Sequence, residues 1–168
     1  FFKHKKAYEL HQRLEFRRVL FRSAGNLKEM REQEPNNGAD QANSVEIPVV
    51  VNGTINEKED IDCFSLQVLP GTRLIFEVNA HRLGSQLDAL LSLFDSTGKQ
   101  LNISDDVIGA EARIDFSFPK EDKYVILIRD LNNQGGINFP YRLSIAPLQP
   151  DFRLTLTPDN LRVARGGT

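Results

Sequence analysis

At 168 residues, with 26% charged residues and a formal net charge of −2, the chain is long enough to bury one core without covalent staples. Its single cysteine, Cys63, excludes an internal disulfide framework and a multi-cysteine zinc site. No apolar run reaches the roughly 18 residues that a membrane-spanning helix needs, so no membrane insertion is expected.

Residues 1–23 hold seven Lys/Arg and two Asp/Glu, and Leu14–Ser23 matches the in-frame translation of a sequencing-library adapter. They are read as foreign to the natural protein and set aside. Without them the balance falls from −2 to −7. The apparent basic arm disappears, and with it any nucleic-acid partner that would rest on clustered Lys/Arg. Residues 24–44 are rich in Asn, Gln, Glu and Asp, and read as a polar linker with a helical turn at Leu27–Arg31.

From Val45 onward short apolar segments recur at intervals near ten residues, divided by turn signals. Ile47–Val51 leads to Asn52-Gly53, read as a turn. Phe64, Leu66 and Val68 share one strand face before Pro70-Gly71. Leu74, Phe76, Val78 and Ala80 alternate with polar neighbours, the period of a half-buried strand. Leu87–Phe94 is more continuously apolar and suits a central strand. Asp95–Gly98 turns it back into Lys99–Ile103. Ile114, Phe116 and Phe118, then Tyr124–Leu131, then Tyr141, Leu143 and Ile145 complete about eight strands. The expected fold is all-β, a two-sheet antiparallel β-sandwich of jelly-roll type over residues 45–147. Residues 148–168 start a fresh alternation with Phe152, Leu154 and Leu156, read as the truncated beginning of a second, immunoglobulin-like β-domain.

Two acidic stretches stand out. One is Glu32-Gln-Glu-Pro-Asn-Asn37, the other Asp60-Ile-Asp62. Glu32 and Glu34, like Asp60 and Asp62, are two residues apart and share a side of an extended chain. Asn36 and Asn37 add neutral oxygens. Oxygen donors of this kind suit Ca²⁺, which takes six to eight of them. The other reading is that Glu32 and Glu34 are solvated and that Asp60 and Asp62 cap a turn. Asp105-Asp106 reads as a surface turn.

Taken in order, Glu34-Pro-Asn-Asn37, Asn52-Gly-Thr-Ile55, Asp60-Ile-Asp-Cys-Phe64, Pro70-Gly71, Leu87–Asp95 with Gly98, Asp105-Asp106, Tyr124–Asp130 and Tyr141-Arg-Leu143 resemble the bacterial pre-peptidase C-terminal domain. The match runs from Glu32, where the motif begins, to Ala146. The resemblance implies an accessory β-sandwich of a larger secreted or cell-surface bacterial protein. It also implies a calcium site built from Glu32, Glu34, Asn36, Asn37, Asp60 and Asp62. Expected partners are the adjacent domains of the same parent chain and an extracellular protein or polysaccharide polymer, with Tyr124, Phe139 and Tyr141 as the aromatics to inspect. The module is expected to be monomeric. A structural spacer, or the C-terminal accessory domain of a peptidase whose catalytic part lies elsewhere, are the other readings.

Catalysis needs a positioned set of groups. Beyond residue 23 there is one histidine, His81, and one cysteine. Neither a Gly-x-Ser-x-Gly elbow nor a phosphate loop nor a His-Glu-x-x-His pair accompanies them. A non-catalytic module is expected.

Overall fold

Alternation decides the architecture. Along Arg73–Asn79, Leu74, Phe76 and Val78 are fully buried while their neighbours are not, because successive side chains of a strand take opposite faces. The same period recurs through a computed structural model that describes residues 27–105 and 111–148. Among these residues ten strands form: β1 (Lys28–Arg31), β2 (Asn43–Ser44), β3 (Val49–Thr54), β4 (Ile61–Val68), β5 (Arg73–Asn79), β6 (Ala89–Phe94), β7 (Gln100–Ser104), β8 (Arg113–Ser117), β9 (Asp122–Asp130) and β10 (Pro140–Pro147). A 3₁₀ turn, His81–Leu83, follows β5. No helix of the described residues is long and apolar enough to cross a membrane.

The strands form two five-stranded sheets, ordered β1-β3-β10-β5-β8 and β2-β4-β9-β6-β7. The β-sandwich expected from the pattern is present. It has two more strands than expected, β1 and β2, and both come from the polar segment read as linker. Lys28–Arg31, expected as a helical turn, pairs in parallel with Val49–Asn52 instead. Four residues gain more from a waiting sheet edge than from an isolated helical turn. β2 likewise runs parallel to β4, so each sheet is antiparallel except at one edge.

Asn52-Gly53, expected as a turn, lies inside β3. The glycine is there for space: a Cβ on Gly53 would run into the Glu32 carboxylate and the Tyr141 hydroxyl. Asp95–Gly98 does close the β6–β7 hairpin, with Gly98 at φ +81° and its N–H donating to the Asp95 carbonyl at 3.0 Å, a conformation that glycine tolerates.

Phe64, Phe76, Leu91, Leu93, Ile126 and Leu143 fill the space between the sheets. Each contributes about 1.5–3 kcal/mol by leaving water. Phe118 and Tyr124 meet edge to face at 4.4 Å, and the Tyr124 hydroxyl satisfies itself on the Lys120 carbonyl at 3.0 Å. Tyr124 and Tyr141 are therefore core residues, and only Phe139 of the three aromatics stays partly open. The alternation puts Arg142 on the other face of β10, where it is nonetheless buried. Its Nη2 donates to Glu29 Oε1 on β1 at 2.7 Å, and Nη1 is buried without a partner.

The register defines two ends. Lys28, Val49 and Ile145 lie side by side at one. Arg31, Asn52 and Arg142 lie towards the other, where the loops preceding β4, β6 and β10 gather. Residue 28 enters at the first end and residue 148 leaves from it.

The Glu29–Arg142 pair gives a stability prediction. Glu29→Ala strips the guanidinium of its carboxylate and should cost about 1–3 kcal/mol in urea unfolding. Adding Arg142→Met, which removes the buried charge, should restore most of that loss. A Glu29→Ala chain as stable as the parent would show that the pair contributes nothing.

Candidate metal centre

Residues 32–42 pass from the edge of one sheet to the edge of the other across the end remote from Lys28. Two backbone bonds pin this strap. Glu32 N–H donates to the Asn52 carbonyl at 3.2 Å, and Cys63 N–H donates to the Asn36 carbonyl at 2.9 Å. Between the two anchors the side chains of Glu32, Glu34 and Asn36 meet the opening of β4, Asp60-Ile-Asp62.

One carboxylate oxygen each from Glu34, Asp60 and Asp62 lies within 4.8 Å of the others. Asp60 and Asp62 are buried and Glu34 is exposed, so the cluster has a protein side and a solvent side. Asn56 holds two of its members: its N–H donates to Asp60 Oδ2 at 2.6 Å and its Nδ2 to Glu34 Oε1 at 2.9 Å. Ile61 N–H donates to Asp60 Oδ1 at 2.9 Å.

Glu32 sits behind the cluster. Its Oε1 accepts from Thr54 N–H at 2.6 Å. Its Oε2 lies 2.9 Å from the Tyr141 hydroxyl, which is also 2.6 Å from Asp62 Oδ2. One phenolic proton serves only one of these oxygens well, so the second contact is satisfied when a carboxyl keeps its own proton. Burial, reinforced by the nearby Glu32 charge, pushes Asp62 up to about 9. Burial also raises Glu32, and it holds the Tyr141 phenol well above its ordinary value.

Asn36 is wholly buried. Its amide oxygen faces only acceptors; that end lies 2.9 Å from Glu34 Oε2 and 3.2 Å from Asp62 Oδ1. Turning the amide over makes both contacts hydrogen bonds, and a cation among the oxygens satisfies them unturned. The donors are all hard oxygens, from carboxylates and one amide, the set that Ca²⁺ prefers.

Five of the six residues singled out from the sequence thus come together: Glu32, Glu34, Asn36, Asp60 and Asp62. Asn37 does not. One residue further along an extended segment, it faces away, is exposed, and lines an open groove of about 320 Å³ with Ala39, Cys63, Phe94 and Val125. The sequence reading missed Tyr141 and Asn56. Inward alternation with Leu143 and Ile145 marks Tyr141 as buried, but its two carboxylate contacts cross 109 and 79 positions of sequence. The cluster lies at the end of the sandwich remote from Lys28. Asp105 follows β7, and Asp106 lies outside the described residues. So do residues 1–26 and 149–168, with the readings attached to them.

Cys63 is buried in β4, and burial pushes its thiol up to about 11. His81 is exposed on the 3₁₀ turn after β5.

No family profile matches the chain. A probable subtilase-type serine protease of Deinococcus radiodurans is 28% identical over 117 residues, 68% of this chain. The match spans only 16% of that protease. Among solved structures, the pre-peptidase C-terminal domain of a Bacillus anthracis collagenase superposes with a TM-score of 0.51 at 15% identity, over 68% of this chain and 99% of that one. A periplasmic inhibitor of g-type lysozyme from Aeromonas hydrophila superposes with a TM-score of 0.47 at 16% identity, over 73% and 98%. The chain has the fold of the pre-peptidase C-terminal domain.

Proposed function

We propose that the chain is a non-catalytic accessory module of a larger secreted or cell-surface bacterial protein of the peptidase kind, and that Ca²⁺ at Glu32, Glu34, Asn36, Asp60 and Asp62 stabilises it. The observation that carries the metal reading is the cluster of Glu34, Asp60 and Asp62, one carboxylate oxygen of each within 4.8 Å of the others and two of the three residues buried. The fold and the subtilase-type relative support the accessory reading. A buried thiol held protonated and a lone exposed histidine support the absence of chemistry in this part of the chain. The calcium ion, when bound, would supply two positive charges where the chain gathers carboxylates. Glu34, Asp60 and Asp62 would hold it, Asn36 would add a neutral oxygen, and Glu32 would orient Asp62 through Tyr141.

In this reading the ion's work is mechanical. Its ligands come from the strap and from the start of β4, so binding fastens one sheet to the other. The strap is otherwise held there by a few hydrogen bonds. Attachment to a protein or polysaccharide polymer, the other expectation, would need a surface platform, and two of the three aromatics considered for one are in the core.

Thermal unfolding of the chain in calcium and in chelator tests the reading. A hundredfold excess over Kd stabilises by about 2.7 kcal/mol, a midpoint rise of several degrees for a domain of this size. The rise should vanish in Glu34→Ala/Asp60→Ala. Equal midpoints in calcium and chelator would remove the metal.

A pH series in chelator gives a second prediction. Asp62 binds its proton more tightly folded, at about 9, than at its ordinary value of 3.8, so the folded state holds the extra proton between those limits. Stability should therefore fall as pH rises from about 4 to about 9. Asp62→Asn, which cannot ionise, should flatten the slope. A slope that persists in Asp62→Asn would assign it to other groups.

A further inference from the structure

Asp60 stands at the end of a loop that another loop braces. Residues 55–60 lead from β3 into β4, and residues 131–139 lead from β9 into β10. The two are joined backbone to backbone. Glu59 N–H donates to the Asn133 carbonyl at 3.2 Å, Gly136 N–H to the Ile55 carbonyl at 2.8 Å, and Ile55 N–H to the Phe139 carbonyl at 3.2 Å. Glu59 and Asn133 are also the two non-glycine residues of positive φ among the described residues, at +67° and +55°. A glutamate rarely takes that conformation. Here its N–H bond to the facing loop helps to hold it, one residue before Asp60.

The bracing loop is shaped by Asp130, the last residue of β9, which is buried. Its Oδ1 accepts from Asp88 N–H at 3.0 Å, and its Oδ2 from Asn132 and Gln134 N–H, both at 2.9 Å. Asn133 N–H closes on the Asp130 carbonyl at 3.1 Å. Bonds from backbone N–H groups to a carboxylate are stronger than those between neutral partners, so residues 131–134 are wrapped firmly around this side chain. Gly135 then lies so close to the Glu57 carbonyl that a Cβ would run into it. Its φ is outside the positive region, so contact and not backbone freedom requires glycine there. Asp60 N–H returns to the same Glu57 carbonyl at 3.3 Å. A shift of the backbone at Glu57 therefore moves Asp60, and with it Asn56, which bonds both Asp60 and Glu34.

We propose, resting on the calcium reading above, that Asp130 and Gly135 are positioning residues of the metal centre. They mould residues 55–60 so that Asp60 and Asn56 meet Glu34 and Asp62. Neither belongs to the cluster of Glu34, Asp60 and Asp62; both act through the backbone of the neighbouring loop. The coupling runs both ways, since whatever the bracing loop adds to calcium binding, calcium returns as order in that loop.

Calorimetric titration of calcium into the unaltered chain, Gly135→Ala and Gly98→Ala tests this. Gly135→Ala should weaken binding at least about tenfold, as loss of a group that orients metal ligands does. Gly98→Ala, strained at φ +81° in the β6–β7 hairpin, should lower the unfolding midpoint in chelator and leave Kd unchanged. That contrast separates positioning from general loss of stability. Asp130→Asn keeps the side chain's size and trades one acceptor oxygen for a donor. It should act like Gly135→Ala, and it serves if the alanine variant does not fold. The Asn56 and Ile61 amides both bond the Asp60 carboxylate. In chelator they should exchange with solvent faster in Gly135→Ala than in the unaltered chain or in Gly98→Ala. Unaltered affinity in Gly135→Ala and Asp130→Asn, with unaltered exchange at Asn56 and Ile61, overturns the positioning role and leaves the metal reading standing. An unaltered chain that takes up no calcium overturns both.

Discussion

The Tyr141 hydroxyl sits between two carboxyl groups, Glu32 on the strap and Asp62 on β4, and the far end of the sandwich is organised around it. Tyr141 belongs to one sheet and Asp62 to the other, so the hydroxyl is a direct polar tie across the two layers. Gly53 leaves the room for it. Carboxylates are costly to bury, and two of them facing one phenol are tolerated only if a proton or a cation offsets the charge. The same burden of buried charge raises Asp62, and a metal among the neighbouring oxygens would relieve it. Asn36 suits either state, because its amide presents nitrogen to the carboxylates in one orientation and oxygen to a cation in the other.

The strap that carries Glu32, Glu34 and Asn36 also solves a problem of edges. A two-sheet sandwich has four, and an unpaired edge is a template for unwanted pairing. β1 and β2 cover two of them with short parallel strands drawn from the polar segment. On the opposite side the β6–β7 pairing is interrupted by a bulge at Leu93–Phe94, and β8 carries the Arg73–Asp115 ion pair at 2.8 Å. Bulges and charges both discourage edge-to-edge association.

A metal held by the acidic strap would govern how firmly the two sheets are closed, at the end remote from Lys28. Cys63 enters through its backbone N–H, which holds the Asn36 carbonyl of the strap.

The all-β character and most strands were legible in the sequence, because burial on one face of a sheet imposes a period of two that Leu74–Ala80 and Tyr141–Ile145 display openly. So was the gathering of the acidic side chains, since spacing by two puts Glu32 with Glu34 and Asp60 with Asp62 on common sides of extended chain. The strand identity of Lys28–Arg31 and the place of Asn52-Gly53 within β3 were not legible. A short polar segment becomes a strand only when an edge is waiting for it, and a glycine kept for space looks in sequence like one kept for a turn. That Asn37 stands apart from the other five was not legible, because composition gives oxygens and not directions. Sequence alone determined which apolar residues would alternate along strands and be buried. Only the tertiary structure decided which carboxylates meet, since Tyr141 reaches Glu32 and Asp62 through strand order and register, and those depend on the whole sandwich having closed.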